Sequence, residues 1–534
     1  MSKELKLKQR MILWKEKAVE RAKIINYLRK EIKRIKKERD KYKNEVKKLK
    51  KEQKQSSSIP DKVALIYITL QIFLIGNISF QGVSRVLGVI GSYLGLSKTP
   101  CVQTVINWVT RLSISRMQNV FRQIKEFSNG FICMIDISIG LGAGKILAVI
   151  LLDAKHHILR KGAPTLKNVK CVGVSVADTW TGETIADFLQ KVIAVVGEPV
   201  AYLKDGGTDL GKAARLLNER GHSSLSIDDI SHAIANLLKH EYQEHPMFET
   251  FISACGKISK KFKQSILACL VPPKVSTKAR FMNLHRLVRW AEQLLKHSTE
   301  GHAENDSILS KLRNALGQLP ECKGFINLFL RDANSLLECE KVLKTKGLSQ
   351  ETYKECQHLV ETIPEPSAVR IGFVKWMEDQ LSTAVRLGLD EEGMPVSSDS
   401  IESLFGVAKH HGTGEIKDAN RIALRIPALC SELTKEDAQN VLDITLEEQQ
   451  KVVKSLPSLV KQRRKVLPNP GSLEEIPICY TKQNLELIPV PKKLIENLPN
   501  TDIPYSYNNT TVPFIDLKKQ IELSINLSPM PGAA

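Results

Sequence analysis

The sequence predicts a multidomain α+β / α/β chain: a mixed β-sheet with flanking helices and a large all-helical insertion, preceded by a coiled coil and a helix-turn-helix-like module. Three observations predict it. Apolar residues recur at helical spacing through most of the 534 residues, a length that holds about three or four cores. Between 131 and 231 that period gives way to short β-rich runs, first in succession and then alternating with helices. From about 245 to 395 the strand signal fades and helical periods return, as in "FMNLHRLVRWAEQLLKH" and "GFINLFLRDANSLLECEKVL".

Residues 1–55 form the first element, a basic coiled coil. Ile25, Ile32 and Val46 occupy a positions, with Leu28, Ile35, Tyr42 and Leu49 at d. Branched residues at a with Leu at d favour two parallel strands. The same register pairs Glu31 with Lys36, Glu38 with Lys43 and Glu45 with Lys50 between chains, each of opposite sign. Arg39 at an a position costs stability and selects a dimer. A single charged helix lying on DNA is the competing reading. "QSSSIP" at 55–60 then ends the helix.

Residues 61–125 read as a helical module: an apolar helix over 62–76, then "ISFQGVSRVLGVIGSYLGL", then Pro100 opening "CVQTVINWVTRL". Pro at a helix start, with Trp108 on the apolar face and Arg111 beside it, suggests a helix-turn-helix with 101–112 as its recognition helix. A plain three-helix bundle fits the same pattern. Over 130–244 come the strands "FICMIDISI", "KILAVILLD" and "KCVGVSVADTW", then "TGETIADFLQKVIAVV" as a helix. "VAYLKD" as a strand, "LGKAARLLNERG" as a helix, "SLSIDDIS" as a strand and "HAIANLLKHEY" as a helix complete the first part of the core. The insertion occupies 245–395. A helix over 399–411, capped by Ser397, Ser398 or Asp399, opens the final part of the core, 396–460. Beyond 467 the chain is a Pro- and Asn-rich tail, expected to wrap on the surface or to be disordered.

The formal charge is +20, and residues 1–54 alone carry 22 Lys and Arg against 8 Asp and Glu. Such an excess concentrates polyanions, nucleic acid first among them; a solubilising surface is the bland alternative. Ten cysteines include no C-x-x-C pair, and Cys356 with His358 has no second ligand pair at matching spacing, so neither a zinc module nor a disulfide framework is expected. The charged N-terminus carries no secretory pattern. "VALIYITLQIFLIG" at 63–76 is too short to span a bilayer, so no membrane partner is expected. The expected location is the cytoplasm, at the nucleoid if the source is bacterial.

Three carboxylates carry the chemistry. Asp136 interrupts an apolar strand, where an unpaired charge costs several kcal/mol and a metal ion is a common partner. Asp205 ends the strand "VAYLKD" and enters the turn "DGGTD"; strand ends of α/β sheets are where sites form. Glu402 lies in "SSDSIESLFGVAKHH" near a helix start, with Lys409 two turns on. Oxygen-only ligands suit two Mg²⁺ or Mn²⁺ ions clamping a phosphodiester. Asp153, Asp178, Asp209 and Asp399 also stand near element ends, where caps and surface ion pairs are the ordinary explanation of one carboxylate.

In this order the chain resembles the DDE transposase superfamily, whose core has the RNase H-like fold; the resemblance covers roughly 61–430. Asp136 matches the acid of the first strand. Asp205, 69 residues later, matches the acid after the fourth, and "DSIESLF" looks like the context of the third, Glu402. The 197 residues between Asp205 and Glu402 are similar to members with a helical domain inserted before the last helix. Asp229-x-x-His232 in "DDISH" resembles the acid-x-x-His element of insert-bearing members, which implies a catalytic role for His232. Arg289-Trp290 in "LVRWAEQL" resembles the inserted Trp that stacks on a flipped base. A core anchor is the competing reading of Trp290, and a satisfied helix-start histidine that of His232.

Lys409 fits the Lys seven residues after the Glu in bacterial cut-and-paste enzymes, while Pro395 and Ser398 replace the Tyr and Arg expected before it. "GLGAGK" at 140–145 has the wrong glycine spacing for a phosphate loop and reads as a β-turn. The resemblance implies a transposase that binds transposon ends in double-stranded DNA, cleaves them and joins the freed 3′-OH to target DNA, as a homodimer or higher oligomer through the coiled coil. Lys409, Lys417, Arg421 and Arg425 are expected at DNA phosphates, or else as a solvated basic face. An RNase H-like nuclease without strand transfer and a non-catalytic DNA-binding protein derived from a transposase are the alternatives.

Overall fold

The computed structural model of the chain describes residues 3–56, 61–124, 127, 130–139, 144–160, 162–275, 280–298, 300–410, 418–454, 469, 471 and 485–489. Most of the linker at 55–60, the turn at 140–143, Lys417 and nearly all of the tail beyond 467 lie outside them. The fold is mixed α and β, as the alternating periods imply.

The N-terminal helices are α1 (Lys3–Ser56), α2 (Lys62–Leu74), α3 (Phe80–Ile90) and α4 (Val102–Ile124). The chain divides into two units, 1–65 with 86–99 and 66–85 with 100–534, the division falling within α2 and α3. In the first unit, α1 is one uninterrupted helix, with Ile25, Leu28, Ile32, Ile35 and Tyr42 all exposed on it; the side chains of Val46 and Leu49 lie outside those described.

The second unit is built on a sheet of β1 (Phe131–Ile139), β2 (Lys145–Asp153), β3 (Lys170–Ala177), β4 (Ala201–Lys204), β5 (Leu225–Asp228) and β6 (Leu485–Leu487), in the order β5-β4-β1-β2-β3-β6. β1, β2 and β3 form an antiparallel meander, β4 runs parallel to β1, and β5 runs parallel to β4. Seven successive residues of β2 are buried, which is why its sequence is continuously apolar rather than alternating: both faces of the sheet are covered. Between the strands come α5 (His156–Leu159), α6 (Gly182–Val196), α7 (Thr208–Glu219) and α8 (Ile230–Tyr242). α6 opens on a capping box at Thr181, and its Phe188, Leu189 and Val192 share one core with Cys133, Ile135, Leu147 and Val149. Gly173 permits that approach, since a Cβ there would lie 3.1 Å from the Phe188 ring.

The insertion is all helical: α9 (Phe248–Lys263), α10 (Arg280–Ser298), α11 (Ile308–Leu316), α12 (Lys323–Lys346), α13 (Gln350–Val360) and α14 (Ala368–Leu387), with 3₁₀ turns at Ile266–Leu270 and Leu319–Cys322. Phe248, Phe251, Phe325 and Phe329 form its core, and Tyr242 of α8 closes it by a 2.7 Å hydrogen bond to the buried Asp332. The chain then returns through α15 (Asp399–His410), α16 (Ala419–Ala423), α17 (Ile426–Leu429), α18 (Lys435–Asp443) and α19 (Leu446–Lys454).

Two features depart from the sequence reading. The helix expected to end at 112 runs on to Ile124, because its apolar face continues through Met117 and Val120 and packs on β3, α17 and α18. The tail, expected either to wrap on the surface or to be disordered, supplies β6 at the β3 edge, with Val174 opposite Leu487.

Arg116 of α4 staples the returning chain. Its guanidinium donates to the carbonyls of Ala428 (2.8 Å), Glu432 (3.2 Å) and Cys430, and pairs with Asp437 at 2.8 Å. Arg116→Ala strands a mostly buried carboxylate and several carbonyls, so a loss of about 3 to 5 kcal/mol is expected in urea unfolding. His157 packs its ring against Gly347 of the insertion, and burial pushes its pKa down to about 4. A histidine with a depressed folded pKa must lose its proton to fold once the pH drops below its unfolded value near 6.5. Its contribution is therefore complete above about pH 6.5 and declines towards pH 4, and His157→Gln should flatten that part of a melting-temperature profile.

Candidate functional site

Alternation along β1 sends Cys133 and Ile135 to the α6 side, so Asp136 points to the opposite face, where α15 packs on β1. Burial raises its pKa to about 7; Asp205 and Glu402 add to that rise, while the Ile137 N–H, donating to Oδ1 at 2.6 Å, and His232 oppose it. Asp205 follows β4 directly. The parallel register sets Ile135 beside Lys204, so the next step along both strands brings Asp136 beside Asp205. Asp205 Oδ1 accepts the N–H of Gly207 at 2.9 Å, closing the turn into α7. A Cβ at Gly207 would lie 2.7 Å from that oxygen, so a larger residue there would push the Asp205 carboxylate aside.

Glu402 stands in the first turn of α15, and burial raises its pKa too. His232 Nε2 lies 3.9 Å from Glu402 Oε1. Burial works against a charge on His232, but its hydrogen bond to Asp229 and the charges of Asp229, Asp205 and Glu402 outweigh it and lift its pKa to about 9. The imidazolium thus places positive charge 3.9 Å from Glu402 and interacts with all three acids of the site.

Asp229, 1% exposed, organises this corner. Its Oδ1 accepts the backbone N–H of His232 at 2.9 Å and its ring Nδ1 at 3.0 Å. Its Oδ2 accepts the N–H and hydroxyl of Ser398 at 2.6 and 2.8 Å. Burial alone would raise its pKa; the His232 ring, the backbone N–H groups of Ser398 and His232, and the His232 charge bring it below the usual carboxylate range. One carboxylate therefore caps α8, orients His232 and fixes the residue from which α15 starts. Ile230 N donating to Val396 O at 2.9 Å makes a second tie between the same segments.

The insertion braces α15 from another side. Lys344 of α12 holds Asp399 at 2.7 Å and Glu340 at 2.9 Å, and Glu340 accepts the Ser231 hydroxyl at 2.7 Å. Lys409 reaches back from α15 to the Ser138 hydroxyl, two residues beyond Asp136 on the same face of β1. Its Nζ lies 5.9 Å from the Phe405 ring centroid.

Carboxylate oxygens are the donors a hard divalent cation takes, and Asp136, Asp205 and Glu402 would offer them; burial first, then Asp205 and Glu402, make Asp136 costly to charge without added positive charge. Among the described residues, no three His, Cys, Asp or Glu side chains are gathered closely enough to hold a metal ion as they stand.

The remaining expected residues lie elsewhere. Trp108 is 8% exposed within the packing of α4, and Arg111 Nε donates to Gln449 at 2.8 Å. Trp290 is half-buried, its Nε1 donating to the Leu270 carbonyl at 3.1 Å, the geometry of an anchor within the insertion. Arg289 is exposed and bonded to Asn334. Arg421 is half-buried on α16, and Arg425 sits over the Phe80 ring at 5.0 Å with its pKa lowered to about 10 by burial. Asp153 caps Lys155, and Asp399 is taken by Lys344. Sequence reasoning misses Lys344 and Ser138, reads Ser398 only as a possible helix cap, and treats Asp229 only as the companion of His232; the x-x spacing to an N-cap is the available signal.

No family model matches the chain, and no curated protein matches it.

Asp229→Ala leaves the Ser398 and His232 donors buried without an acceptor. It should cost about 3 to 5 kcal/mol in urea unfolding, whereas Asp229→Asn, which keeps the shape and one acceptor, should cost less.

Proposed function

We propose that the chain is a DNA transposase of the acidic-triad class, built on an RNase H-like core that the helical insertion interrupts. One observation carries the reading. Three carboxylates, from the middle of the first strand, the end of a parallel neighbour and a helix 197 residues further on, are close enough for Asp136 to feel both others. An antiparallel meander of three strands followed by two strands parallel to the first supports the same core.

Asp136, Asp205 and Glu402 would hold Mg²⁺ or Mn²⁺, which supplies Lewis acidity to activate the attacking oxygen and stabilise the leaving 3′ oxygen of a phosphodiester. The protein's own groups do the rest. His232, oriented by Asp229, places positive charge beside Glu402 and the incoming phosphate. Lys409, on the same face of β1 as Asp136, offers a further phosphate contact. In the first step a water oxygen bonds to phosphorus and the 3′ oxygen leaves with a proton. In the second that 3′-OH bonds to a target phosphorus and displaces a target 3′ oxygen. The exposed heptads of α1 would pair with those of a second copy and bring two DNA ends together. Among the described residues no helix is long and apolar enough to cross a membrane.

The test is Mg²⁺-dependent cleavage and joining of DNA carrying the native flanking repeats, by the wild type and by Asp136→Ala, Asp205→Ala and Glu402→Ala. Each variant should lose both activities by at least about 10³-fold while still binding DNA. Cleavage without joined products would favour a nuclease, and activity surviving any one substitution would remove that acid from the site.

A further inference from the structure

We infer that the exposed face of α9 and the segment after it form a second binding surface for the phosphate backbone of duplex DNA, separate from the acid cluster. The starting point is the charge pattern. Residues 250–291 contain nine Lys and Arg and no Asp or Glu.

The fold presents much of this charge to solvent. α9 turns Phe251, Cys255, Ile258 and Phe262 into the core of the insertion, which leaves Lys257, Lys260, Lys261 and Lys263 exposed, with Lys274 exposed beyond the following 3₁₀ turn. Among the described residues of the stretch only Arg280 is paired with a carboxylate, Glu249 at 3.7 Å. On α10, Arg286 and Arg289 are exposed, and Arg289 is held by the neutral Asn334. Burial and the charges of these two guanidiniums together lower the pKa of His285 beside them, so their field is felt locally.

Lysines in the last turn of a helix also complement its dipole, which accounts for Lys260, Lys261 and Lys263 at a few tenths of a kcal/mol each. It does not account for Lys257, Lys274 or the missing acids. Lys257 to Lys263 spans ~9 Å along the helix, a stretch of duplex axis that carries about five phosphates. A bilayer surface suits the stretch less well: an interfacial helix needs a free apolar face, and that of α9 is already buried.

The inference rests on the reading of the chain as a protein that acts on DNA, and its test separates the two. Lys257, Lys260, Lys261 and Lys263 are changed together to Gln in the full chain. Binding to a fluorescent duplex of scrambled sequence is then followed by anisotropy across a KCl series, with melting temperature as the folding control. The slope of log K against log salt should become shallower by about 0.9 for each phosphate no longer neutralised, up to roughly 3.6 for all four. An unchanged slope overturns the inference. So does loss of flotation with phosphatidylserine vesicles alone, the slope on DNA being unaltered. If the wild type shows the steeper slope but no cleavage, the binding surface stands and the transposase reading falls. Normal cleavage with an unchanged slope in the quadruple variant keeps the transposase reading and removes the binding surface.

Discussion

A carboxylate withdrawn from water must be met by donors, and at Asp229 that requirement ties together segments that are far apart in sequence. Its two oxygens take the start of α8, the ring of His232, and the backbone and hydroxyl of Ser398. Because α15 begins at the next residue, the direction of that helix and the location of Glu402 follow from how one buried acid is satisfied. Burial makes the arrangement stiff: in a low-dielectric corner each donor that strays leaves several kcal/mol of unmet charge, so the alternatives are far higher in energy.

The three acids face the opposite problem. Burial makes Asp136 and Glu402 costly to charge, and the charges of Asp205 and Glu402 add to that cost at Asp136. The structure holds them near one another by means that do not depend on their own attraction: parallel register of two interior strands for the first two, and Asp229 with Lys344 for the helix that bears the third. The insertion is thereby more than a passenger. Lys344 stands on its α12 and pairs with Asp399, one helical turn before Glu402, so a helix of the insertion fixes the angle of the acid-bearing one.

The strands are legible because burial writes itself into composition. "FICMIDISI" and "KILAVILLD" coincide with β1 and β2, and the single acid in the first stands out against its apolar neighbours. The alternating strands and helices after 180 are readable within three residues for the same reason, and the capped start of α15 announces itself by a run of serines. What sequence does not deliver is pairing across distance. Nothing local distinguishes Asp229 as a bridge to Ser398, Lys344 as the partner of Asp399, or Arg116 as a staple for carbonyls more than three hundred residues on. α4 reads as ending at 112 because its second half looks polar until β3 and α18 are there to bury it. The strand at 485–487 is invisible because three residues carry no period; the open β3 edge makes it a strand.

The position of Glu402 has a consequence for how the chain is made. At a synthesis rate of about 5 to 20 residues per second, the third acid trails Asp205 off the ribosome by roughly 10 to 40 seconds, with a complete helical domain in between. That domain has its own aromatic core, and the entropy of closing so long a loop grows only logarithmically, so the delay costs little stability. During that interval the nascent chain carries two acids on a sheet that lacks both the α15 helix and the β6 edge strand. A half-made copy therefore holds no complete acid cluster, and whatever chemistry the cluster performs is confined to finished molecules.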